Sequence, residues 1–194
     1  MNSNIRKLTG TAMLSAVAYI LMFLEFPIPF LIPSFIKMDF SELPALMASF
    51  AYGPASGVIV CLIKNLLHLM NTQTGGVGEL SNFMLGAAFV LIAGLIYKKI
   101  HTKKGALTGS VAGAAFMGII SLFTNYYIVY PIYTNFMPME AIIGAYQLIV
   151  PSVEDLWDCL LIFNLPFTIF KGLCSVLITM LIYKPLRNIL KGAG

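Results

Sequence analysis

Charged side chains are scarce in this sequence. Only 10% of its 194 residues are Asp, Glu, Lys or Arg, while 59% are hydrophobic. An ordinary soluble domain has about a quarter of its residues charged. A water-soluble globule of this size could not bury so much apolar surface, so the composition excludes that class. Continuous apolar runs, of which a bilayer needs about 20 residues per helix, predict an all-α integral membrane protein instead.

Paired cysteines and catalytic motifs are also missing. Cys61, Cys159 and Cys174 form no C-x-x-C and, being odd in number, no disulfide framework, so we expect them to pack as small side chains. The sequence has no H-E-x-x-H, no serine nucleophile elbow and no phosphate-cradling G-x-x-x-x-G-K-[ST]. It therefore predicts no enzyme, no metal site and no cofactor. If the protein transports a solute against its concentration gradient, an ion gradient or an ATPase on another chain must supply the energy.

Apolar segments occur six times, and we interpret residues 1–194 as a single polytopic membrane domain with six transmembrane helices. The segments cover approximately residues 8–26, 43–52, 55–70, 80–97, 106–130 and 156–183. The first follows a basic start without a cleavage site, so we expect a retained helix rather than a signal peptide. The second segment is short, because Pro44 and the Gly53-Pro54 break enclose only about half a span.

Basic residues predict the orientation in the membrane. Nine of the twelve stand before the first segment, between the fourth and fifth, or after the sixth: Arg6, Lys7, Lys98, Lys99, Lys103, Lys104, Lys184, Arg187 and Lys191. Because positive charge stays on the cytoplasmic side, both termini are expected in the cytoplasm and the acidic residues outside. The bases form no continuous stripe, so nucleic acid is not an expected partner.

The long outer loop between the first and second helices is too apolar to lie free in water. Pro27, Pro29 and Pro33 prevent a continuous helix there, while Phe30 and Phe35 are among its aromatic residues. Irregular backbone at membrane depth is tolerated where it is buried in protein or lines a cavity. We therefore predict an apolar flap over an outward-facing pocket, with a loop resting on lipid as the alternative.

Polar side chains inside apolar segments are costly and usually mark a functional site. Lys171 stands midway along the sixth segment, and Asn164, seven residues earlier, lies on nearly the same helix face. Thr168 is close to one turn before Lys171. This stripe offers an ammonium group and an amide to a ligand. A lysine that snorkels, or that pairs with an outer carboxylate, is the alternative interpretation.

Other polar groups lie on the third, fourth and fifth segments. Lys64 and His68 share one helix face, where two cations would not hold a metal. We expect Lys64 to pair with a carboxylate or carbonyl, and His68 to bond across helices. Glu79 and Asn82 open the fourth segment and Asn125 stands in the outer part of the fifth, so all three are candidates for a pocket near the outer surface.

The sequence resembles a known family in four places. These are the Ala12-x-x-x-Ala16 helix, the proline-rich first loop, DFSELPALMASFAYGPASGV at 39–58 and PFTIFKG at 166–172. They resemble the membrane-embedded substrate-binding S component of energy-coupling factor (ECF) transporters, and most closely its riboflavin-specific members. The resemblance implies an outward-facing vitamin binder in a bacterial cell membrane. It also implies a transmembrane coupling subunit and two cytoplasmic ATPase subunits as partners.

The resemblance implies roles for particular residues as well. Ala12 and Ala16 would belong to the coupling surface, and residues 39–43, Asn164 and Lys171 to the vitamin site. Family members often carry Asn where this chain has Thr168, so Asn164 would read the ring edge of the vitamin. Together with the polar groups above, the expected substrate-binding set is Asp39, Phe40, Glu42, Leu43, Glu79, Asn82, Asn125, Asn164, Thr168 and Lys171.

The residues alone leave other functions open. The preference for riboflavin over another vitamin rests on the resemblance and not on composition. An ion-driven carrier working alone would need no partner ATPase. An intramembrane lipid enzyme could use Glu154, Asp155 and Asp158 to hold Mg²⁺, although an outer acidic rim would give the same pattern.

Overall fold

Helices make up most of the computed structural model, which describes residues 3–191, with side chains as far as residue 182. The side chains of Lys184, Arg187 and Lys191, which complete the predicted basic clusters, lie outside that description. The helices are α1 Ser3–Met22, α2 Glu42–Tyr52, α3 Pro54–His68, α4 Val77–Lys99, α5 Lys103–Thr124, α6 Tyr130–Tyr133, α7 Met139–Gln147, α8 Leu156–Cys159 and α9 Leu165–Lys191.

Four helical segments within the described residues are long and apolar enough to cross a membrane. They are Pro54–Asn71, Val77–Lys99, Lys103–Tyr133 and Leu156–Ile182. The last two are composite, since a π-helical turn joins α5 to α6 and a second one joins α8 to α9. The structure is thus the predominantly helical membrane protein that the composition predicts, while the count of six transmembrane helices stays a prediction.

The short second helix ends where the sequence predicts. Gly53 has a φ of 100°, which a glycine adopts without strain, and Pro54 then begins α3 because a first-turn proline needs no hydrogen-bond donor. Residues 42–50 are buried without exception. This burial shows why α2 can be short: it contacts α1, α3, α4 and α9 and lies among them.

The segment at 23–41, called the hairpin loop below, is non-helical and folds back on the bundle. Its two short strands, β1 Phe26–Pro27 and β2 Lys37–Met38, pair antiparallel. The first apolar segment was predicted to continue as helix to residue 26, but α1 ends at Met22. Prolines favour extended backbone in the residue before them, so the proline-rich sequence ends the helix early. Ile32 is fully buried between the loop and the bundle, which favours the flap interpretation.

Two clusters of buried apolar side chains hold the fold together. One fills the helix bundle around Leu46, Val60 and Phe89. The other joins the hairpin loop to the rest of the chain, and includes Ile32 and Tyr146. Tyr146 belongs to α7, an amphipathic helix that the six-segment interpretation does not contain. Burying both clusters fixes the hairpin loop and α7 over one end of the bundle.

Candidate functional site

A cavity opens beneath the hairpin loop. The cavity has a volume of about 170 Å³. Its lining includes eight of the ten predicted substrate-binding residues: Asp39, Glu42, Glu79, Asn82, Asn125, Asn164, Thr168 and Lys171. The remaining two, Phe40 and Leu43, do not line it. Leu43 packs in the bundle cluster, and Phe40 packs against Phe26 with ring centroids 6.3 Å apart.

Four charged side chains meet at the start of α2. The ammonium nitrogen of Lys171 lies 2.6 Å from Asp39 Oδ2 and 3.6 Å from Glu42 Oε2. Lys64 contributes the second ammonium, 2.9 Å from Glu42 Oε1. Two cations thus balance two anions, as buried charges require. Lys171 pairs with a carboxylate and does not snorkel, and Lys64 makes the carboxylate contact expected of it.

Asp39 connects the hairpin loop to α4 and α9. Its Oδ1 accepts hydrogen bonds from the backbone N–H of Ser41, at 2.8 Å, and from the Ser41 hydroxyl, while Asn82 Nδ2 donates to Oδ2 at 3.3 Å. Burial alone would raise the pKa of the Asp39 carboxyl, but the ammonium groups of Lys171 and Lys64 outweigh it and hold this pKa below its usual range. Asp39 is therefore a charged anchor for the end of the hairpin loop.

Two π-helical turns each bring an asparagine to the cavity. Asn125 begins the turn Asn125–Val129, and Asn164 ends the turn Leu160–Asn164. A proline follows each turn by two residues, at Pro131 and Pro166. Proline lacks an N–H and crowds the preceding turn, which favours a local departure from α-helical bonding. Single π turns inside α-helices are often found at functional sites.

The amide of Asn164 is held by two tyrosines. Tyr146 donates its phenol proton to Asn164 Oδ1 at 2.6 Å, and Asn164 Nδ2 donates to the Tyr130 hydroxyl at 3.1 Å. The two phenol oxygens are also hydrogen-bonded to each other. Asn164 and Tyr130 line the cavity, whereas Tyr146 lies behind them. Sequence reasoning missed both tyrosines, because tyrosine is also common at membrane interfaces.

A polar pair of His68 and Glu79 forms part of the cavity wall. His68 Nδ1 lies 2.8 Å from Glu79 Oε1, so His68 bonds across helices as expected. The Thr72 hydroxyl donates to Glu79 Oε2 at 2.9 Å. Glu79 is thus held by its neighbours and its position is fixed before any ligand enters.

The hairpin loop is tied to the connection between α3 and α4 through Lys37. Its ammonium nitrogen lies 2.6 Å from Glu25 Oε1 and donates to Gln73 Oε1 at 2.8 Å. Gln73 belongs to the connection between α3 and α4. This contact, called the Lys37 latch below, links the hairpin loop to the α3–α4 connection at the cavity wall.

Several lining residues were not among the predicted substrate-binding residues. They are mostly apolar side chains and residues of the hairpin loop and connections: Met22, Glu25, Ile32, Phe35, Ile36, Lys37, His68, Gln73, Thr74, Gly78, Ser81, Leu85, Met117, Val129, Tyr130, Tyr133 and Phe167. The proline-rich flap, the polar side chain of His68 inside an apolar segment, and the helical spacing around Asn82 and Lys171 could have indicated some of them.

The predicted coupling residues and acidic rim lie away from the cavity. Ala12 and Ala16 are exposed on α1, whereas Leu14 and Ala18 on the same helix are buried. Asp155 accepts a hydrogen bond from the Asp158 N–H at 2.8 Å and so caps α8. No group of three or more His, Cys, Asp or Glu side chains suited to a metal occurs among the described residues.

Comparisons with known proteins show the family to which the chain belongs. A family model described as "ECF transporter, substrate-specific component" matches residues 6–183. The chain is 37% identical to riboflavin transporter RibU of Staphylococcus aureus (strain TCH60), over 96% of this chain and 93% of that protein. It is 34% identical to riboflavin transporter FmnP of Bacillus subtilis (strain 168), over 94% and 93% of the two chains.

A solved structure of the S component of a bacterial ECF transporter has the same fold. It aligns with a TM-score of 0.76 and 35% sequence identity, covering 98% of this chain and 100% of that one. The relatives are named as transporters, which assigns this chain to transport rather than catalysis. The chain belongs to the family of substrate-specific S components of ECF transporters.

Proposed function

We propose that this chain is the riboflavin-binding subunit of an ECF-type importer in a bacterial cell membrane. It captures the vitamin from outside the cell, and ATPases on partner chains power its uptake. The proposal is supported by two features taken together. A cavity lined by polar and apolar side chains lies beneath the hairpin loop, and the chain is similar over nearly its full length to proteins named as riboflavin transporters.

The cavity lining suits the chemistry of a flavin. Riboflavin has a flat three-ring body, an edge that alternates hydrogen-bond donors and acceptors, and a hydroxylated chain. Phe35, Leu85 and Phe167 supply apolar walls, while Asn164 and Lys171 supply donors and acceptors for the polar edge. Such a combination of apolar surface with a few placed polar groups is usual for small-molecule sites.

The partner proposal follows from the exposed face of α1. Ala12 and Ala16 stand four residues apart and are exposed, so a helix of another chain can approach them closely. We assign this face to a transmembrane coupling subunit, with two cytoplasmic ATPase subunits behind it. The positive charge before α1 and between α4 and α5 supports six crossings with both termini in the cytoplasm.

The proposal is tested by purifying the chain in detergent and measuring quenching of riboflavin fluorescence on binding. A yellow preparation from which a flavin is extracted, or saturable quenching by added riboflavin, is expected. Thiamine and biotin serve as competitors that should not displace it. Absence of quenching, or displacement by either competitor, would contradict riboflavin as the substrate.

An uptake assay distinguishes a subunit of an importer from a carrier that works alone. Liposomes that contain only this chain should bind riboflavin without accumulating it. Accumulation is expected when the coupling subunit, the ATPases and ATP are added. Accumulation by the chain alone under an ion gradient would favour the ion-driven carrier and overturn the role of the partners.

A further inference from the structure

Tyr146 contacts the cavity wall from behind. It is fully buried on α7 and does not line the cavity, whereas its two hydrogen-bond partners, Tyr130 and Asn164, do. Tyr146 bonds to Asn164 Oδ1, Asn164 Nδ2 bonds to Tyr130, and the two phenols bond to each other. The three side chains thus close a ring of hydrogen bonds.

Counting protons gives this ring a direction. A phenol has one proton to donate. Since Tyr146 gives its proton to Asn164 Oδ1, the bond between the phenols must use the proton of Tyr130, which in turn accepts from Asn164 Nδ2. The amide of Asn164 has two N–H groups and two oxygen lone pairs. One of each is used in the ring, so one of each is left for a ligand.

Hydrogen bonds to both the oxygen and the nitrogen of the Asn164 amide fix its plane. The terminal torsion of asparagine otherwise has a broad range of angles, and rotation about it would break both bonds to the tyrosines. A polar group already held in its binding geometry has less freedom to lose when a ligand binds. The ring therefore prepares Asn164 for recognition.

Ring contacts hold the Tyr146 side chain independently of its hydroxyl. Phe35 of the hairpin loop packs edge-on, with ring centroids 6.1 Å apart, and Phe163 packs at 5.1 Å. Replacing Tyr146 by Phe would keep these contacts and remove only the oxygen. The hydroxyl can thus be tested apart from the packing.

We infer that Tyr146 is a positioning residue for substrate recognition. Its hydroxyl holds the plane of the Asn164 amide, so that the free N–H and the free oxygen lone pair meet the polar edge of the ligand. The inference rests on the proposed function, in which riboflavin occupies the cavity. It adds a residue of α7 that does not itself touch the ligand.

A double-mutant cycle tests this inference with riboflavin as the ligand. Tyr146→Phe is compared with the wild type, and the same change is made in an Asn164→Ala background. We expect about tenfold weaker binding in the first comparison, the usual scale for one lost hydrogen bond, and no further loss in the second. The control is Tyr127→Phe, since Tyr127 is exposed and does not line the cavity.

Each other result has a definite meaning. Unchanged affinity in Tyr146→Phe, or the same fold-loss in both backgrounds, would overturn the positioning role. Failure of Tyr146→Phe to fold, seen as loss of a single elution peak while Tyr127→Phe keeps it, would also overturn it, because the hydroxyl would then serve the fold. Failure of the wild type to bind riboflavin would instead contradict the proposed function, and it is measured first.

Discussion

The ammonium nitrogen of Lys171 lies 2.6 Å from Oδ2 of Asp39, although 132 residues separate the two in the chain. The contact joins α9 to the end of the hairpin loop at the edge of the cavity. Lys64 and Glu42 extend it into a group of two cations and two anions. The three cavity-lining ions of this group, Asp39, Glu42 and Lys171, are thereby held in place before a ligand arrives.

Removing Lys171 should weaken riboflavin binding and destabilise the protein together. Lys171→Met leaves Asp39 and Glu42 opposite a single cation, and an uncompensated buried charge is costly. We expect a lower unfolding temperature and a loss of about 1–3 kcal/mol in binding free energy. The double variant Asp39→Asn/Lys171→Met restores the charge balance, so its unfolding temperature should recover while its affinity does not. Recovery of affinity would exclude these groups from the binding site.

Lys64 should matter for folding rather than for contact with the ligand. It is fully buried, pairs with Glu42 and does not line the cavity. Lys64→Met should lower the free energy of unfolding by about 3–5 kcal/mol, the usual cost of breaking a buried pair. Adding Glu42→Gln removes the unpaired anion and should regain part of the loss. Thermal unfolding in detergent measures both variants, and equal stability of Lys64→Met and wild type would refute the assignment.

Opening the Lys37 latch should speed release of riboflavin. Lys37→Ala removes the hydrogen bond to Gln73 that joins the hairpin loop to the α3–α4 connection, and the ion pair with Glu25 that holds Lys37 within the loop. A partly exposed ion pair contributes up to about 1 kcal/mol, so the dissociation rate should rise by up to roughly fivefold. Stopped-flow chase with excess unlabelled ligand measures it. Lys104→Ala is the control because Lys104 is exposed at the start of α5 and does not line the cavity, and an equal rise there would argue against the latch.

Large side chains on the exposed face of α1 should prevent transport without changing riboflavin binding. Ala12→Trp and Ala16→Trp should keep riboflavin affinity, since neither residue lines the cavity, but should abolish uptake by the assembled transporter because close helix approach needs small side chains. Leu177→Trp places the same ring on an exposed position of α9 and should leave uptake unchanged. Normal uptake in both alanine variants would refute the docking assignment.

Much of the site could be predicted because a polar side chain inside an apolar segment is energetically costly and can be recognised from the local sequence. Lys171, Asn164 and Asn125 stand out in apolar segments, where a polar group is rarely placed without use. The prolines of the hairpin loop exclude a helix, and Gly53-Pro54 separates α2 from α3, by backbone chemistry alone. Leu43 was expected at the site because the resemblance implied the whole stretch 39–43, but neighbouring residues of a helix point in different directions, and Leu43 packs in the bundle.

The sequence by itself determined the membrane class, the irregular hairpin loop, the short second helix and the polar residues that a ligand could use. Each of these depends on the chemistry of adjacent residues. Tertiary structure alone decided that Asp39 pairs with Lys171, that π turns aim Asn125 and Asn164 at the cavity, and that Tyr146 reaches Asn164 from α7. These arrangements require elements distant in the chain to pack together, and no local pattern specifies which partners will meet.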